Sequence, residues 1–135
     1  MKKNAIVILT LLLVGTVLVA FTSKGQGEPW TIPAKYKTMK NPHAGDKSLV
    51  MVGKALWAKH CKSCHGTAGL GDGPKAGSLK TKINSLATKT FQAGTDGEIY
   101  YKSFVGRDEM PNFEKKIIDD EDRWAIVNYI RTLAK

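Results

Sequence analysis

With 135 residues the chain has room for one domain and little more. It carries 21 Lys and Arg against 12 Asp and Glu, a formal net charge of +9. The basic residues are scattered, with no block of arginine and aromatics, which argues against nucleic-acid binding.

The first 25 residues read as a leader. Lys2 and Lys3 precede Ala5–Phe21, an uncharged apolar run of 17 residues, and a polar stretch with a small-x-small pattern at Ser23-Lys24-Gly25 comes next. A basic start, an apolar run and small residues make an export signal. The run is also at the lower limit for spanning a bilayer, so residues 5–21 serve as a cleaved signal peptide or as a retained N-terminal membrane anchor. Either way, the chain beyond Gly25 is expected outside the cytoplasm, in the periplasm or on the outer face of the cytoplasmic membrane. With Lys2, Lys3 and Lys24 set aside, 18 basic residues face 12 acidic ones. Such distributed positive charge keeps a small protein soluble and steers it to partners with acidic docking surfaces.

Residues 26–47 read as an irregular arm, because Pro29, Pro33 and Pro42 each remove a backbone donor and fix φ. Trp30, Ile32 and Tyr36 are the side chains able to pin it. The domain proper spans 48–135. Its first helix runs through "LVMVGKALWAKHC", with Val52, Gly53, Leu56, Trp57 and Cys61 on one stripe. A glycine on that face costs about 1 kcal/mol relative to alanine. A second helix crossing closely there is the physical reason to keep it. The glycine-rich "GTAGLGDGPKAG" after this helix excludes helix and strand. It lacks the Lys-Ser/Thr of a phosphate loop. "SLATKTFQAG" predicts a short helix. "TDGEIYYKSFVG" predicts a better one, with Thr95 and Glu98 as a capping box, Tyr100 and Phe104 as an apolar pair and Gly106 as the stop. In the last helix Asp119 or Asp120 caps, Glu121 and Asp122 favour the positive end of the dipole, and Ile126, Tyr129, Ile130 and Leu133 line one face. Arg131 and Lys135 close it. No strand pattern stands out, so the class is all-α with long loops.

The chemistry concentrates in "HCKSCHG", His60–Gly66, which holds both cysteines of the chain. Two cysteines with His43 and His60 at the wrong spacing do not make a structural zinc site. A redox dithiol wants a strand-to-helix junction that the pattern lacks. A disulfide across two residues closes a tiny loop and leaves His65 unexplained. The remaining reading is covalent haem attachment, for which C-x-x-C-H is the signature. Cys61 and Cys64 add to the two vinyl groups, and the turn between them presents His65 to the iron. The sixth ligand is then Met110. Met39 and Met51 precede the motif, and Met110 comes after it in "GRDEMPNF", where Pro111 biases it to an extended backbone. His43 is the weaker alternative. A ligand imidazole donates its other N–H to an outer partner, and the carbonyl of Pro74 is the candidate, unless Pro74 is simply a turn proline.

Taken together, "GKALWAKHCKSCHG", "GDGP", "GRDEMPNF" and "DRWAIVNYIRTL" resemble the class I, single-haem c-type cytochromes over residues 48–135. The resemblance implies a cytochrome c fold of about four short helices and long loops around one covalently bound haem. It implies that the first and last helices cross at right angles, with Gly53 and Trp57 meeting Tyr129, and that Ile126 and Ile130 face the haem edge. It leaves the N-terminal arm unexplained. The implied function is that of an exported one-electron carrier, not an enzyme, passing electrons to redox partner proteins. The rival within the same chemistry is a haem c subunit anchored in a larger respiratory oxidoreductase complex. A haem sensor or peroxidase would need an open sixth site.

Overall fold

The computed structural model describes residues 29–135, so the leader and the start of the arm lie outside the described residues. Among the described residues six α-helices come in order: α1 Ala34–Lys37, α2 Lys47–His60, α3 Lys62–His65, α4 Lys89–Gln92, α5 Asp96–Phe104 and α6 Asp120–Arg131. A 3₁₀ turn, Ala76–Ser78, lies between α3 and α4. The described residues hold no strand, only an isolated bridge between Arg107 and Met110. The class is all-α, as expected, but single-turn helices raise the count above four. One of them sits in the arm. Pro33 does not break structure there. It stands just before α1, where its missing N–H is not needed, and its carbonyl accepts from the Tyr36 and Lys37 amides. No helix among the described residues is long and apolar enough to cross a membrane.

Caps set the helix starts. Asp46 accepts from the Ser48 amide at the head of α2, and Asp119 from the Glu121 amide at the head of α6. Thr95 and Glu98 form the complete capping box of α5. Each such cap contributes about 1 kcal/mol by satisfying donors that a helix start leaves open.

Helices α2 and α6 make the most extensive helix contact among the described residues. They approach at Gly53. A Cβ built there would collide with the Ala125 carbonyl and lie 3.0 Å from Tyr129 Cβ. Backbone against backbone is the contact that the missing side chain permits. Trp57, one turn on, tilts against the Tyr129 ring at 5.8 Å. The buried stripe of α2 is Leu49, Gly53 and Trp57, with Val50, Leu56 and Cys61 half-buried. Val52 departs from the expected stripe and is 40% exposed. It lies about 100° round the helix from Gly53, too far to reach α6.

On α6, the residues from Trp124 to Ile130 are all buried. The helix ends earlier than its pattern suggested. Leu133 and Lys135 lie past it, in a closing turn where Thr132 and Leu133 donate to Tyr129 and Ile130. Nor does Arg131 simply face the helix end. Its guanidinium reaches across to Asp96 and to the carbonyls of Gln92 and Gly94, binding α6 to the start of α5.

Candidate functional site

The cysteine motif forms where α2 stops. Cys61 caps α2, and the amides of Cys64 and His65 both donate to the Cys61 carbonyl, 3.2 and 3.0 Å away. That bend makes α3 a separate turn carrying Cys64 and His65. Gly66, at φ +79°, ends it in a conformation glycine adopts without strain. The glycine loop then folds back on the motif. Gly71 donates to the His65 carbonyl, Gly73 to that of Cys64 and Lys75 to that of Ser63. A Cβ on Gly73 would strike the Lys62 and Ser63 carbonyls, so only glycine lets the loop lie this close.

Cys61 and Cys64 are unpaired thiols. Burial, with Cys64 beside it, pushes the Cys61 thiol up to about 12, so it stays protonated and uncharged. Burial lowers the pKa of His65, which keeps its imidazole neutral, the form that binds metal. The Trp57 ring lies 5.7 Å from the His65 ring, and its Nε1 donates to the Gly66 carbonyl at 3.1 Å. Tyr129 donates to the Thr67 carbonyl at 3.4 Å. The two residues of the helix crossing therefore also hold the chain just beyond the motif. His65 Nδ1 is buried and has no hydrogen-bond partner. The Pro74 carbonyl thus does not receive it. The loop's own amides fix Gly73 and Lys75 to the motif, and Pro74, between them, has no N–H of its own.

Met110 lies on a tight turn. Arg107 and Met110 exchange both backbone hydrogen bonds, at 2.9 and 2.8 Å, around Asp108 and Glu109. Gly106, at φ +70°, ends α5 and leads into it. Cys61 and Met110 are both half-buried against the hydrophobic cluster that includes Trp57, Phe104, Phe113, Ile126 and Ile130. Sequence reasoning missed Glu109, whose carboxylate accepts from the Lys80 and Thr81 amides at 3.0 and 2.8 Å. These donors, Lys80 first, hold its pKa below the ordinary 4.5. It missed Ala125 at the crossing as well, because a carbonyl contact leaves no trace in side-chain pattern. A hollow of about 360 Å³ lined by Val50, Asp96, Asn128 and Arg131 includes none of the candidate ligands.

The donor set fits a haem. Two unbridged thiols stand one helical turn apart, a neutral imidazole comes directly after the second, and its Nδ1 is buried without a partner. An all-α fold with this helix end defines a cytochrome c domain, whose function is haem-based electron transfer. Residues 48–130 match the family model described as cytochrome c oxidase, cbb3-type, subunit III, which is more than half of the chain, and the chain belongs to that family. No curated relative matches this chain.

Proposed function

We propose that the protein is an exported one-electron carrier with a single haem c. Cys61 and Cys64 would hold the group through thioether bonds, and His65 and Met110 would be the axial ligands of its iron. When bound, haem iron supplies one reversible electron, moving between ferric and ferrous. The protein's part is to bind and to shield. Trp57 fixes the His65 side of the site, and the apolar cluster excludes water, which disfavours the more highly charged ferric state. With thioether sulfur as the other ligand, the same preference is strengthened. With His65 and Met110 both on the iron, no place would be left there for a substrate, so transfer rather than turnover is the expected chemistry. Lys62, Lys75, Lys80 and Lys82 are exposed on the motif turn and the loop after it. They suit redox partners with acidic docking faces. Pro74 remains the proposed outer partner of His65 once the ring is held by iron.

The observation that carries this reading is the pair of unbridged thiols closing one turn before a neutral, half-buried imidazole whose Nδ1 is buried. The test is extraction of the purified holoprotein with acidified acetone. Haem is expected to stay with the polypeptide, and Cys61→Ala or Cys64→Ala to leave one thioether at most and to cut holoprotein yield. Colour that leaves with the solvent rules out covalent attachment.

A second reading is favoured by the family's description, which is that of an oxidase subunit. Here the same domain is a fixed electron-transfer subunit, held by an uncleaved leader in a larger respiratory complex. Co-purification with membrane partners separates it from the diffusible carrier.

A further inference from the structure

The arm lies outside the family match at 48–130, yet it is bound tightly to the domain. Near its far end, Asn41 donates to Asp96 and to Asn128, and the buried Asn128 donates to the His43 carbonyl. In the middle, Tyr36 is buried against Tyr100 and Tyr101, and the arm backbone passes over Gly97. A Cβ on Gly97 would collide with the Tyr36 carbonyl and come within 2.8 Å of Met39. The arm is therefore fixed along α5, and its first described residues reach the turn that carries Met110. Trp30 stands edge-on to Tyr101, with ring centres 6.1 Å apart. The Arg107 guanidinium lies over the Trp30 ring at 4.3 Å and donates to the Pro29 carbonyl at 3.1 Å.

We propose that Trp30 and Arg107 form a clamp through which the N-terminal arm positions the Met110 turn and holds its thioether as the sixth ligand. This rests on the Met110 reading above. Arg107 is one end of the turn, since its own N–H and carbonyl are bonded to Met110. Fixing the Arg107 side chain therefore fixes the backbone from which Met110 projects. The turn needs outside support because Asp108 sits at φ +49°, a conformation uncommon for a residue with a side chain. Glu109 supplies one support, on Lys80 and Thr81. The arm supplies the other. Trp30 and Arg107 are positioning residues, acting through the turn and not on the iron.

The test is titration of the full-length ferric holoprotein with imidazole, which competes with the Met110 thioether, monitored by loss of the sulfur–iron absorption band. Removing one cation–π contact and loosening its hydrogen bond should let imidazole bind about five- to tenfold more tightly to Trp30→Ala. Haem attachment and far-ultraviolet circular dichroism should not change. Trp30→Phe, which keeps an aromatic face, should restore most of the wild-type affinity. If Trp30→Ala yields no holoprotein, Arg107→Gln carries the same decision. Wild-type imidazole affinity in the variant overturns the clamp. Met110→Ala separates the two readings. A band absent from the wild type, or surviving in Met110→Ala, overturns the ligand assignment and the clamp with it. A band lost in Met110→Ala, with imidazole affinity unchanged by the clamp variants, overturns the clamp alone.

Discussion

Glu109 shows how one exposed carboxylate can matter to a site it does not enter. Its two oxygens accept from consecutive amides, Lys80 and Thr81, and so tie the Met110 turn to the loop after the 3₁₀ turn. The bonded form is the ionised one, and the folded-state pKa lies below the ordinary 4.5. A depressed pKa means stability that is present above the ordinary value and lost as pH falls through the folded value. Wild type should therefore be more stable than Glu109→Gln at neutral pH, and the gap should close as the pH drops below about 4.5. Paired thermal melts across that range check it, and a gap independent of pH would mean that the amides do not favour the ionised form. Glu109 is visible in "GRDEMPNF" only as a charge beside a candidate ligand. Its partners are 28 and 29 residues away in the chain, and nothing local specifies them.

At the scale of elements, the α2–α6 crossing depends on Gly53. Glycine in a helix costs about 1 kcal/mol relative to alanine, whereas forcing methyl groups into a packed contact costs about 1–3 kcal/mol. The second figure wins here because the obstacle is the Ala125 backbone carbonyl, which no rotamer change can move. Gly53→Val should lower the melting temperature of the holoprotein and reduce holoprotein yield, since Trp57 and Tyr129 lie on the same contact and brace the motif. An unchanged melting curve would show that the helices do not meet at this residue. The presence of a crossing was readable from one glycine on an apolar face. Its partner atom was not, because Tyr129 lines the predicted face of α6 whereas the Ala125 carbonyl belongs to no side-chain pattern.

The described residues form a cytochrome c domain with an arm strapped to one side by Trp30, Tyr36 and Asn41. Charge and leader are the grounds for proposing a basic protein that works outside the cytoplasm among acidic partners. Intact-mass measurement on protein from its native soluble and membrane fractions should find the chain plus the mass of a single haem. A mass lacking the first 25 or so residues, in the soluble fraction, is the outcome expected of the diffusible carrier. The uncleaved chain confined to the membrane fraction is that expected of the anchored subunit. A mass equal to the bare polypeptide in both fractions would exclude covalent haem.

Local structure was decided by sequence alone. The C-x-x-C-H spacing, the Thr95–Glu98 capping box, the Asp119 cap and the Gly106 stop each depend on residues within a turn of one another, where neighbours along the chain are neighbours in space. Tertiary structure decided what distant segments do together. It turned Arg131 from a helix-end charge into a tie to Asp96 and set Val52 outside the core. It also joined the arm to the Met110 turn through Trp30 and Arg107, 77 residues apart in the chain. Contacts of that kind form only once the helices have packed, because hydrophobic burial sets which surfaces meet without regard to their separation in sequence.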